Sequence, residues 1–168
     1  MRKHPADLDE ATLMAASQLA RTRGSGPGGQ RRNKVETGVT ITHRPTGLHG
    51  AASERARPAD NHRVAVFRLR VNLALSVRCP IGQGYRPSDL WQSRCIHGHV
   101  SVNSNHRDFP ALLAEALDVL AAHKFDVPVA ATELRCTASQ LTKLLKQEPR
   151  GLAMINQERA ITGKRPLR

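Results

Sequence analysis

Residues 23–37 read Arg-Gly-Ser-Gly-Pro-Gly-Gly-Gln-Arg-Arg-Asn-Lys-Val-Glu-Thr. Gly24, Gly26, Gly28, Gly29 and Pro27 crowd into the first half of this stretch. Neither a helix nor a strand runs easily through such a sequence. The stretch must therefore join two elements, and its neighbours must let a long connection leave and return. That connection carries little side-chain bulk, one amide side chain at Gln30, and a block of cations at Arg31, Arg32 and Lys34.

The flanks point to a fold class. Ala11–Arg23 holds Leu13, Met14 and Leu19 among alanines, which suits either the start of a helix or an extended lead into the connection. Asn33–Thr37 suits a helical turn or a tight loop. Val39-Thr40-Ile41-Thr42 then alternates apolar and polar residues, the period of a half-buried strand. Arg44-Pro45-Thr46-Gly47 places Pro second and Gly fourth, a type I turn pattern. Leu48–Ala52 is expected to return as a second strand. From Val64 to Val77 two periods compete. Phe67, Leu69, Val71, Leu73, Leu75 and Val77 alternate as in a strand, while Val66, Leu69, Leu73 and Val77 line one helical face. A cap at Asp60 or Asn61 and the length of the run decide for a helix starting near His62.

Cys79–His106 holds Gly, Pro and scattered polar residues, and reads as a linker with one short strand at His99–Val102. Helices follow. Asp108 is a capping residue, Pro110 suits a first turn, and Leu112, Leu113, Ala116, Leu117 and Leu120 form an apolar stripe. Val129–Leu134 is expected as a short helix. Thr137-Ala138-Ser139-Gln140 has the spacing of a reciprocal capping box and opens a helix with Leu141, Leu144 and Leu145. Pro149 should end it, and Gly151–Thr162 should form a last helix stopped by Gly163. The expected architecture is α+β: a small sheet with a packed helix over residues 1–77, a linker at 78–107, and an all-helical region at 108–168.

The 168 residues carry 26 Lys and Arg against 14 Asp and Glu, a net charge of +12. A chain this basic is suited to a polyanion. The excess is spread: 13 basic and 6 acidic residues fall in 1–75, and 13 and 8 in 76–168. With 3% aromatics, base-stacking platforms are disfavoured and phosphate contacts favoured. Three loosely spaced cysteines, Cys79, Cys95 and Cys136, do not form a disulfide framework. Met1-Arg2-Lys3 leads into Asp7, Asp9 and Glu10 without an apolar core, so no secretory signal is expected. No apolar run reaches the ~20 residues of a membrane span. A cytoplasmic protein without membrane association is the expectation.

The glycine-rich stretch has three readings. Gly24-x-Gly26-x-x-Gly29 formally fits a dinucleotide fingerprint. Pro27 interrupts it, however, cations follow it, and His49 and Gly50 stand where an acidic residue is needed. A flexible linker is the second reading, but linkers rarely end in a block such as Gln30-Arg31-Arg32-Asn33-Lys34. The third rests on likeness. Gly26-Pro27-Gly28-Gly29-Gln30-x-x-Asn33-Lys34, followed by Val39-x-Ile41-Thr42-His43-x-Pro45-Thr46-Gly47, resembles the catalytic domain of class I peptide chain release factors. The clear likeness runs from Arg23 to Leu48. It continues loosely through Glu54-Arg55 and Asn61-His62-Arg63 to about Leu73.

The resemblance implies hydrolysis of the ester between peptide and tRNA in the peptidyl transferase centre of the large ribosomal subunit. It implies that the backbone N–H of Gln30 steadies the charge that develops on oxygen, and that its side-chain amide positions or admits water. Preorganised N–H donors are strong catalysts of such steps. Gly28 and Gly29 allow backbone angles closed to residues with a Cβ. Arg23, Arg31, Arg32 and Lys34 would bind rRNA or tRNA phosphates, and Asn33 would brace the loop. No general base stands nearby in the sequence, and the resemblance implies that tRNA and ribosome supply the rest. Neither metal nor organic cofactor is required. A Gln methyltransferase acting on Gln30 is a further implied partner.

The chain departs from full release factors. No room for a codon-reading domain is expected before residue 23, and neither Pro-x-Thr nor Ser-Pro-Phe occurs. The likeness is instead to short release-factor-like proteins, some of which rescue stalled ribosomes. Their Lys/Arg tails contrast with the brief Gly163-Lys164-Arg165-Pro166-Leu167-Arg168. Cys95-x-His97-x-His99 with Cys79 upstream lacks the spacing of a zinc finger or ribbon. His106 and Trp91 read as packing or surface residues. The helices around 129–135 and 137–147 resemble a helix-turn-helix, with Ser139, Gln140, Lys143, Lys146 and Gln147 facing outward; an ordinary bundle held by Leu134, Leu141, Leu144 and Leu145 is the plainer alternative. Two functions stand: codon-independent peptidyl-tRNA hydrolysis, directed to translation release or ribosome rescue, or non-catalytic RNA or DNA binding led by Lys143 and Lys146.

Overall fold

A small antiparallel sheet and a long helix organise the first part of the chain. The structure, a computed structural model, describes residues 3–22 and 37–168. A 3-10 turn at Pro5–Asp7 precedes α1 (Glu10–Ala15), whose N-terminus is capped by Asp9: the Thr12 N–H donates to its Oδ1 at 2.9 Å. Strand β1 (Ser17–Thr22) follows at once. Ala11–Thr22 is thus both things its sequence suggested, a helix and then an extended lead. Strand β1 pairs antiparallel with β2 (Gly38–His43), in register from Ser17↔His43 to Thr22↔Gly38. Strand β3 (His49–Ala52) pairs along the other side of β2, which is therefore central. The hairpin turn closes one residue earlier than expected: Thr46 N–H and Gly47 N–H both donate to His43 O, at 3.2 and 2.9 Å, so Pro45 stands third in it rather than second, with Gly47 at φ +70°.

Alternation along β2 buries Val39, Ile41 and His43 on one face. Helix α2 (Pro58–Ser76) covers that face, burying Ala65, Val66, Leu69 and Leu73. The competition between strand and helix over 64–77 resolves as a helix. Its polar residues are not wasted there. Arg68 donates to Ala51 O at 2.7 Å, Arg70 to Ala6 O at 2.8 Å and Asn72 to His49 O at 2.8 Å. One correction concerns its start. The helix begins at Pro58 rather than near His62, so Asp60 and Asn61 lie inside its first turns. Asp60 pairs with Arg63 at 2.6 Å, and Asn61 is fully buried.

The chain divides into two compact units, Pro5–Leu73 and the residues up to His4 together with Ala74–Arg168. In the second unit the segment expected as a linker holds α3 (Asp89–Arg94) and the hairpin of β4 (Cys95–Ile96) and β5 (His99–Val100). His97 (φ 50°) and Gly98 (φ 78°) make its turn. Trp91 explains this order. Its ring is buried, and its Nε1–H donates to Leu134 O at 2.8 Å. Glu115 accepts from Tyr85 Oη, Ser88 N and Ser88 Oγ at 2.5, 2.7 and 2.6 Å, which anchors the entry to α3. Periodicity alone does not reveal such anchors.

Four helices complete this unit: α4 (Phe109–Ala122), α5 (Val127–Glu133), α6 (Ala138–Lys146) and α7 (Pro149–Ile161). Leu112, Leu113, Leu117 and Leu120 of α4 are wholly buried, with Leu141 and Leu145 of α6. Two caps differ from expectation. Asp108 stands at the N-cap of α4, where its carbonyl accepts from Leu112 N–H at 3.1 Å but its side chain makes no cap bond; Arg94 holds its Oδ2 at 2.6 Å instead. Thr137 caps α6 through Gln140 N at 3.2 Å, but its own N–H donates to Gly98 O at 3.3 Å. Pro149 opens α7 as well as stopping α6, since its missing N–H costs nothing in a first turn.

Candidate functional site

The ends of β1 and β2 carry the connection that the sequence singles out. Thr22 and Gly38 are the last paired residues, so 23–37 leaves and returns at adjacent strand ends. Gly38 is required by this closeness. A Cβ on it would stand 2.5 Å from Thr22 Oγ1 and 2.8 Å from Thr22 O. Behind the returning end sits Asn61. Its Nδ2 donates to Thr37 O at 2.7 Å and to Arg55 O at 2.9 Å, and its Oδ1 accepts from Arg55 N at 2.9 Å. A single buried amide thus ties Thr37 to the start of α2. The residue was visible in the sequence as a capping candidate within the loosely similar Asn61-His62-Arg63. Its partners are 6 and 24 positions away, and no spacing rule names them.

Gly28, Gly29 and Gln30, with Arg23, Arg31, Arg32, Asn33 and Lys34, lie outside the described residues, as does Asn33–Glu36 with its expected helical turn. The described frame is closely packed. Strand β3 lies against α2 so closely that a Cβ on Gly50 would meet Ala65 O and the backbone of Leu69. His43 closes the far end of β2. Its Nδ1 lies 2.9 Å from Thr46 Oγ1, and burial holds its imidazole below the ordinary histidine value. Neutral His43 and the Thr46 hydroxyl lock the turn that sets the β2–β3 register.

Lys143 and Lys146 project from the exposed face of α6, opposite buried Leu141, Leu144 and Leu145. Neither has an ion-pair partner among the described residues. Arg135, at φ 55°, turns the chain between α5 and α6, and its N–H donates to Thr132 O at 3.1 Å. One groove of about 480 Å³ runs past Ser139, Thr142, Lys143, Lys146 and Arg159; another of about 630 Å³ passes Arg94, His99, Gln140 and Lys143. Lys143 borders both. Arg159 is engaged by Phe125 O at 2.6 Å and Arg94 by Asp108, whereas among the described residues no such bond engages Lys143, Lys146 or Arg168, which also lines the first groove. Such a surface suits phosphate oxygens.

The cysteines serve this unit differently. Cys95 Sγ lies 3.5 Å from Arg135 O, and burial, with Cys95 nearby, pushes the Cys136 thiol up to about 12. Cys95, His97 and His99 do not form a cluster close enough to share an ion. Trp91 is a packing residue, and His106 lies 3.3 Å from Arg94 Nη2.

Comparison with known proteins shows what the chain is similar to. The chain is 45% identical to peptide chain release factor 1 of Malacoplasma penetrans (strain HF-2), over 70% of this chain and 39% of that protein. It is 43% identical to peptide chain release factor 1 of Chloroherpeton thalassium, over 62% of this chain and 28% of that protein. Against peptide chain release factor 1 of Maricaulis maris it is 29% identical, over 83% of this chain and 41% of that protein. The chain is release-factor-like, and it spans about two fifths or less of the length of these curated relatives. No family profile and no solved structure matches it. No helix among the described residues is long and apolar enough to cross a membrane.

Proposed function

We propose that this protein acts in translation termination by hydrolysing the ester of peptidyl-tRNA in the large ribosomal subunit, independently of the codon, as in rescue of stalled ribosomes. One observation carries the reading. Gly28-Gly29-Gln30 falls in a connection between two paired strand ends, in a chain similar to release factors. In this proposal residues 1–77 form the catalytic domain, 78–107 join it to the remainder, and 108–168 bind nucleic acid. Gln30 N–H is the donor to the developing oxyanion; Gly28 and Gly29 give it access. Arg23, Arg31, Arg32 and Lys34 contact rRNA and tRNA phosphates, and Asn33 braces the loop. N5-methylation of Gln30 by a methyltransferase would modify the side chain without removing the N–H. Scarce aromatics and dispersed cations favour binding by phosphate contact over base reading, which supports codon independence. The site of action is the cytoplasm.

The test is release of nascent peptide from ribosomes loaded with peptidyl-tRNA, on stop codons, sense codons and truncated mRNA. Comparable release from all of them is expected. Gly29→Ala and Gln30→Pro, the latter deleting the donor itself, should each lower turnover by about 10²-fold or more while ribosome binding is retained. Equal turnover per bound complex in these variants would refute the catalytic assignment.

The exposed Lys143 and Lys146 beside two grooves favour a second reading: a non-catalytic RNA- or DNA-binding protein acting through α5 and α6. There the loop variants would be silent and the lysine variants decisive.

A further inference from the structure

Three metal-ligand side chains from distant parts of the chain converge inside the unit that contains α4. His4, Cys79 and Asp118 each offer one donor atom, and these atoms all lie within 4.8 Å of one another. His4 and Asp118 are buried, at 8% and 6% exposure, and Cys79 is half-buried. The proposed hydrolysis uses none of them. The cluster is also not the Cys95-x-His97-x-His99 set that the sequence brings to mind. We propose that His4, Cys79 and Asp118 form a binding site for one divalent cation of borderline softness, with zinc as the best match, which clasps the chain near His4 to α4.

The donor set itself favours this class. Thiolate sulfur, imidazole nitrogen and carboxylate oxygen together suit Zn²⁺ better than Mg²⁺ or Ca²⁺, which take oxygen. Zinc–ligand bonds of roughly 2.0–2.3 Å place neighbouring ligand atoms roughly 3.5 Å apart in a tetrahedral shell. Small side-chain rotations bring atoms now within 4.8 Å to that separation.

The surroundings of the donors supply a second observation. His4 Nε2 lies 3.2 Å from Val77 O. A protonated Nε2 donating there leaves the lone pair on Nδ1, and an outer hydrogen bond to a backbone carbonyl is the usual companion of a metal-bound imidazole. Asp118 Oδ1 accepts from Cys79 N at 3.0 Å and faces Arg78 Nη1 at 3.4 Å. Both contacts fall on one oxygen and orient the carboxylate, leaving the other to meet a cation.

Arg78 is the group that opposes a cation here. Its guanidinium is drawn back: Nη2 donates to Ala74 O at 2.8 Å and to Leu75 O, carbonyls at the end of α2. Those carbonyls carry the negative end of the helix dipole and take much of its charge. The Cys79 thiolate and the Asp118 carboxylate then balance the two charges of the ion. Three protein ligands leave one position for water, on the side where Cys79 is half-buried.

The experiment uses the full chain, dialysed free of metal, with Zn²⁺ and Co²⁺ as probes. One equivalent of zinc should bind in competition with a chromophoric chelator and raise Tm. Cobalt should give a thiolate-to-metal charge-transfer band. Cys79→Ser should abolish the band and weaken zinc binding at least tenfold, while Cys95→Ser leaves both unchanged. His4→Gln keeps the thiolate but should weaken zinc binding at least tenfold, and stands in if Cys79→Ser does not fold. Less than a tenth of an equivalent bound, a band retained in Cys79→Ser, or unchanged zinc affinity in His4→Gln overturns the proposal. None of these readouts depends on peptide release.

Discussion

Asn61 shows how much one buried amide can organise. It donates to Thr37 O and Arg55 O and accepts from Arg55 N–H, and it is inaccessible to solvent. Removing it strands those groups, each at roughly 1–3 kcal/mol when buried. Asn61→Ala should therefore lower the unfolding free energy by about 3 kcal/mol in urea titration; a loss below about 1 kcal/mol would mean that water replaces the amide. His43 makes a pH prediction. Burial depresses its folded pKa below the ordinary 6.5, so the unfolded chain takes up the proton first as pH falls. The contribution to stability is complete above 6.5 and declines below it, towards the folded value. His43→Gln should flatten the dependence of Tm on pH in that window. An unchanged slope would assign it to other groups.

At the scale of elements, the approach of β3 to α2 decides how the first unit packs. The pairing is backbone against backbone at Gly50, where an added methyl would overlap Ala65 O and Leu69 N. Neither partner is a side chain that can swing away. Gly50→Ala should cost about 3 kcal/mol or more, at the upper end of overpacking penalties, because the helix must move as a body. Thermal unfolding measures this directly. Wild-type Tm in the variant would show that helix and sheet separate easily. Elsewhere the elements follow local rules. Helix α4 buries its leucine stripe, and α6 is capped by Thr137.

For the whole molecule, the charge of +12 suits a polyanionic partner, and in the second proposed reading Lys143 and Lys146 meet it. Charge reversal at both should weaken binding to ribosomes or duplex RNA and reduce the salt slope of log K by about 1.4–1.8, since each lost phosphate contact removes about 0.7–0.9. An unchanged slope would show that α6 faces away from the polyanion. Because the alteration lies in the second unit, turnover of bound complexes should remain as in the wild type, in contrast to the Gly29 and Gln30 variants.

Much was legible without coordinates: the α+β class, the strand at 39–42, a turn around Pro45, the returning strand, and the helical stripes of α4 and α6. These features have periods or spacings of a few residues, and neighbouring side chains encode them. Even the conflict over 64–77 yielded to run length, although the helix starts at Pro58 and not at a cap on Asp60 or Asn61. The proposed catalytic residues rest on motif and order alone, Gly28-Gly29-Gln30 in the primary structure, and lie outside the described residues. What folding alone decided is choice of partner over distance: Arg94 taking the carboxylate expected to cap α4, Trp91 ordering an expected linker, Asn61 reaching Thr37, and His4 meeting Cys79 and Asp118. A buried polar group bonds whatever packing brings beside it, and chain separation leaves no imprint on that selection.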